Sequence, residues 1–96
     1  MRPSEILDDN RELIRSIVRE HGADNPRIFG SVARGDDHAE SDFDILVDLP
    51  EGVPFHQIFR IEDALSSVLG RKVDVYPAGK PGSRFLEHIR PDLRLI

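Results

Sequence analysis

The stretch from Arg27 to Asp48 leaves this chain few ways to fold. Pro26 bars helix, and Arg27 to Gly30 reads as a short strand whose buried end is Ile28-Phe29. From Asp42 to Asp48 a second strand alternates. Phe43, Ile45 and Val47 reach a core only if Asp42 and Asp44 face away from it, because neighbouring strand residues point to opposite faces. Arg71 to Tyr76 repeats the pattern, with Val73 and Val75 on one face and Lys72, Asp74 and Tyr76 on the other. A helical segment separates these last two strands, which favours a right-handed parallel crossover. The expected fold is α/β (α+β): a small mixed sheet of three to four strands with helices packed mainly on one face. The face bearing Asp42, Asp44 and Asp74 is expected to stay open.

The remaining segments supply the helices. Ile6, Leu7, Leu13, Ile14, Ile17 and Val18 recur at helical spacing, predicting one helix from about Ser4 to Glu20, with Ser4 as N-cap and Gly22 at its end. A second helix is predicted after Pro54, its apolar stripe being Phe55, Ile58, Phe59, Ile61, Leu65, Val68 and Leu69, closed by Gly70. That stripe is most simply core. Ser31 to Gly35 is a tight turn or the first turn of a short helix, and Asp36 to Ser41 a polar loop with no part in the core. A last helix is expected over Ser83 to Arg90, with Phe85, Leu86 and Ile89 inward and Pro91 as its stop. The apolar residues Leu93, Leu95 and Ile96 either fold back over the core or dock on a partner. With 96 residues and no repeat or linker, the expectation is a single domain, 1–96.

Composition narrows the chemistry. A formal charge of −5 argues against direct nucleic-acid binding, which needs a basic face. The absence of cysteine excludes disulfides and thiolate sites. No apolar run approaches the ~20 residues of a membrane span, and the N-terminus carries Arg2 but no apolar h-region of a secretory signal, so the cytoplasm is the expected default location.

A strand that runs into Gly30-Ser31 presents backbone N–H groups suited to phosphate oxygens, and Gly30 permits their close approach. Residues two apart in a strand share a face and stand ~6.6–6.8 Å apart along it, so Asp42 and Asp44 can converge on hard cations. With Asp74 from a neighbouring strand they have the means to hold two Mg²⁺ ions about 3.5–4 Å apart. A phosphate cradle beside paired carboxylates suggests chemistry on a nucleoside triphosphate. Arg34 pairs with a phosphate or braces the loop through Asp36 or Asp37. Asp48 shares the parity of Asp42 and Asp44 but sits at the strand end, and His38 alone among four histidines lies near the chemistry. For Tyr76, on the same face, packing or solvent contact is expected before stacking on a base.

Gly30-Ser31-x-Ala33-Arg34-Gly35 followed by Ser41-Asp42-x-Asp44 resembles the signature of the minimal nucleotidyltransferases, members of the DNA polymerase beta-like nucleotidyltransferase superfamily. The resemblance implies the nucleotidyltransferase fold, with Gly30 and Ser31 (and Arg34 beside them) toward the nucleotide and Asp42, Asp44 and Asp74 as catalytic metal ligands. It further implies the antitoxin of a two-gene module whose partner is a HEPN-domain ribonuclease toxin. The implied activity is Mg²⁺-dependent transfer of AMP from ATP to a hydroxyl, that of a tyrosine, on the toxin within a hetero-oligomeric complex. Two alternatives stand beside it. One is a non-catalytic antitoxin that neutralises its partner by steric binding, and the other a nucleotidyltransferase acting on a small molecule.

Overall fold

The computed structural model describes residues 1–96. Strands β1 (Asp24–Phe29), β2 (Phe43–Asp48), β3 (Val73–Pro77) and β4 (Arg94–Leu95) form one mixed sheet in the order β3-β2-β1-β4. β1 runs antiparallel to both β2 and β4, whereas β2 and β3 are parallel. Helix α4 (Gln57–Leu69) makes the expected crossover between the parallel pair. It packs beside α2 (Arg11–Glu20) on one sheet face, where Ile14, Val18, Ile61 and Leu65 close over Ile28, Phe43, Ile45, Val47, Val73 and Val75. The strand alternation is thus realised as a buried apolar face. No helix is long and apolar enough to cross a membrane.

Several details depart from expectation, each for a local reason. The first predicted helix is two, α1 (Pro3–Asp9) and α2, because the Asn10 amide donates to the Ile6 carbonyl at 2.8 Å and its backbone leaves the helical region. Ser4 is not the N-cap, since α1 begins one residue after Arg2 and the Ser4 N–H donates to Asp37. The predicted polar loop does reach the interior: Asp37 and Ser41 are buried. In α4 the buried stripe is Ile58, Ile61, Leu65 and Leu69; at ~100° per residue Phe59 and Val68 fall outside it, and Phe55 precedes the helix. Phe55, Phe59 and Val68, like Leu13 on α2, are therefore exposed.

A further departure concerns the second sheet face, which is only partly open. Helix α5 (Arg84–Ile89), capped by the Ser83 hydroxyl accepting from Leu86 N–H, lays Ile89 and Leu86 over Phe29 and Leu46, whereas Phe85, expected inward, meets the rings of Phe29 and Tyr76 and stays exposed. A single 3₁₀ turn (Arg90–Asp92) then leads into β4. The apolar tail folds back: β4 pairs with β1, the Ile96 N–H donates to the Pro26 carbonyl, and the Ile96 side chain is buried. β1 reaches back to Asp24, beyond the predicted start, through a register shift between Asp24 and Arg27 that accommodates Pro26.

Candidate active site

Strand register brings two of the predicted carboxylates, Asp44 and Asp74, together. Asp44 pairs with Asp74 on β3 and with Phe29, the last residue of β1. Register partners share a face about 4.7–4.9 Å apart, so one sheet face carries Asp44, Asp74 and the strand end leading into Gly30. Gly30 has φ +79°, and a Cβ built on it stands 2.7 Å from Asp44 Oδ2. The backbone and the carboxylate are therefore in contact, and only glycine fits between them. Gly30 also caps the short helix α3 (Ser31–Arg34), whose first-turn N–H groups have no partner within the helix. Asp42 lies one residue before β2 and is exposed; Ser31 is half-buried at the start of α3.

The electrostatics of this corner are lopsided. Burial holds the Asp44 carboxyl above the usual carboxylate range, and the charges of Asp74 and Asp42 add to the effect, while Lys72 opposes it. The one cation on these carboxylates is the exposed Lys72 ammonium, 3.9 Å from Asp74, a weak surface pair. As they stand, no three His, Asp or Glu side chains form a ready-made ion site. Arg34 is engaged with acidic groups, donating to Asp92 at 2.8 Å and to Asp36 at 3.2 Å. Asp48 is taken up by Arg27 at 2.6 Å, and His38 closes the loop by donating its N–H to Ser41 Oγ.

Apart from Tyr76, several residues at the site were not singled out from sequence. β3 is an edge strand, and α4 covers its outer edge: Glu62 accepts from Val75 N–H at 2.8 Å and Ser66 from Val73 N–H at 3.1 Å. The backbone on either side of Asp74 is thereby pinned. Across the sheet face, Phe29, Tyr76 and Phe85 form an aromatic cluster with ring centroids 5.5–5.9 Å apart. A cleft of about 300 Å³ joins these rings to Gly30 and Asp44, and Arg34 and Asp92 border it. Burial, then the charges of Asp44, Asp74 and Glu62, raise the Tyr76 hydroxyl above the usual phenol range, so it stays protonated. The i, i+4 spacing of Glu62 and Ser66 was a usable signal only once β3 was known to be an edge.

Known proteins resemble this chain in sequence and in fold. The profile of the nucleotidyltransferase domain matches residues 11–94. Two proteins of Methanocaldococcus jannaschii, both provisionally named protein adenylyltransferases, are each 38% identical to this chain. One aligns over 72% of this chain and 74% of its own length. The other aligns over 79% and 78%. A solved structure described as a minimal nucleotidyltransferase superposes with a TM-score of 0.83 at 34% identity, covering 97% of this chain and 95% of the other. A toxin–antitoxin structure with AMP-PNP superposes with a TM-score of 0.76 at 20% identity, over 90% of this chain and 71% of that one, a likeness in fold.

Proposed function

This chain belongs to the nucleotidyltransferase domain family, and from that premise we propose that it transfers AMP from ATP to a partner toxin. The partner is a HEPN-domain ribonuclease, the acceptor a tyrosine hydroxyl, and the chain acts as antitoxin within a hetero-oligomeric complex. One observation carries this reading furthest. Asp44 stands in register with Asp74 and in contact with Gly30, so acidic and phosphate-receiving groups share one corner.

In this reading Gly30 and Ser31 receive the triphosphate, and the absence of a Cβ at Gly30 lets a phosphate approach the backbone. Asp42, Asp44 and Asp74 offer the hard oxygen donors that suit Mg²⁺, and the raised Asp44 carboxyl marks negative charge that the chain leaves uncompensated. Two bound Mg²⁺ ions would neutralise phosphate charge and acidify the acceptor hydroxyl. The hydroxyl oxygen bonds to the α-phosphorus, the bond to the bridging oxygen breaks, pyrophosphate departs and the hydroxyl proton is lost to water. Arg34 joins the phosphates by exchanging Asp92 and Asp36 for them, a charge-for-charge substitution.

The deciding experiment is the intact mass of the partner from the neighbouring gene after incubation with this chain, ATP and Mg²⁺. AMP-sized increments that vanish with Asp42→Ala/Asp44→Ala are the expected result. A partner that is bound and silenced equally by both forms, yet never gains mass, would make the chain a steric antitoxin and sink the transferase reading.

A further inference from the structure

The aromatic cleft has no part in the steps above. Phe29 serves the small second core, being buried against Leu46 and Ile89. Phe85 is different: it keeps 39% of its surface exposed although it touches both other rings. Tyr76 remains half-buried between them and the carboxylates. An exposed ring held rigidly beside two others is a stacking platform, because the partners fix its orientation before any ligand arrives.

Four observations say what it stacks on. The cleft is continuous with the site, sharing Gly30 and Asp44. At about 300 Å³ it is at the small end of ligand pockets, sized for one ring system and not for a peptide segment. Of the three carboxylates only Asp44 borders it, so the exposed Asp42 lies outside and the acceptor has its own approach. Its polar lining, Asp44, Arg34, His88 and Asp92, stands beside three aromatic side chains, so ring faces are available to a flat ligand there.

We propose that the cleft formed by Phe29, Tyr76 and Phe85 is the nucleobase pocket, holding the base of the nucleoside triphosphate by stacking against Phe85 and Tyr76. This rests on the nucleotide reading of the site above. The base lies over the end of β3 and against α5, while the phosphates run toward Gly30. Stacking on an aromatic side chain is tolerant of base identity, since every base has a π-face.

The test is calorimetric titration of the chain, in Mg²⁺, with ATP and separately with inorganic triphosphate. Phe85→Ala should weaken ATP roughly tenfold and leave triphosphate binding unchanged, as removal of a base–aromatic stack requires. In the wild-type complex, adenine H2 or H8 should show nuclear Overhauser contacts to the ring of Tyr76, the only tyrosine in the chain. This second measurement decides the matter should the variant lose both ligands through misfolding. Unchanged ATP affinity in a folded Phe85→Ala chain, or a bound adenine with no contact to these rings, overturns the pocket. If either occurs while AMP is still transferred to the partner, the pocket alone falls. If the wild-type chain binds neither ATP nor triphosphate, the nucleotide reading falls with it.

Discussion

Gly30 and Asp44 show how tightly fold and site are bound together at single positions. Any Cβ at residue 30 meets Asp44 Oδ2 at 2.7 Å, and φ of +79° is strained for a side-chain-bearing residue. Gly30→Ala should therefore cost about 1–2 kcal/mol in urea unfolding and abolish triphosphate binding, both readable on the same purified variant. Asp44 carries the opposite sign of effect. Its carboxyl is raised by burial and then by Asp74 and Asp42, so the native state is favoured while Asp44 is protonated. As pH rises through the raised native value, that advantage is lost. Asp44→Asn should accordingly melt a few degrees above wild type at neutral pH without divalent cations, a gap of order 1 kcal/mol or less. The gap should close below the ordinary carboxylate range, and Mg²⁺ should stabilise wild type but not the variant. A variant that melts at or below wild type at neutral pH would contradict this account of the site's charge.

At the scale of elements, side chains from outside the motif hold its parts in place. Asp37 is buried, accepts from the Ser4 N–H and the Arg2 guanidinium, both at 2.9 Å, and so ties α1 to the loop between α3 and β2. Burial alone would raise its carboxyl, but the hydrogen bonds from Ser4 and Arg2, with the charge of Arg2, outweigh burial and carry it below the usual range. A lowered native value gives stability that is present above the unfolded carboxylate range and lost as pH falls through the native value. Asp37→Ala should cost about 1–3 kcal/mol at pH 7 by chemical denaturation, with the difference shrinking in strong acid. Neither this tie nor the α4 clamp on β3 was legible in the sequence. Asp37 sits in a run of polar residues that pattern alone assigns to solvent, and Glu62 lies on the flank of an amphipathic helix where a solvated carboxylate is the ordinary expectation. The split of the first helix at Asn10 was hidden for a related reason, because its apolar spacing continues unbroken across the break.

Over the whole molecule, a small domain gains from apolar side chains that reach its core from distant segments, and Ile96 in the tail illustrates this. Ile96 completes the main core from the far edge of the sheet, and β4 covers the edge of β1. Ile96→Ala should cost about 2–3 kcal/mol in urea unfolding, toward the low end for a buried isoleucine; a loss under ~0.5 kcal/mol would mean the tail does not dock in solution. What the sequence determined by itself was local and periodic: three strands, two of them alternating, the crossover helix, and the placement of Asp44 and Asp74 opposite the core. Strand parity is a property of neighbouring residues and needs no partner. The motif at Gly30 was legible because glycine beside a strand end has few physical uses. Only the tertiary structure decided the pairing of Phe29 with Asp44, the covering of the second face by α5, and the meeting of Phe29, Tyr76 and Phe85. Those contacts join Phe29 to residues 76 and 85, far from it along the chain, and strand order and helix packing in three dimensions bring them together.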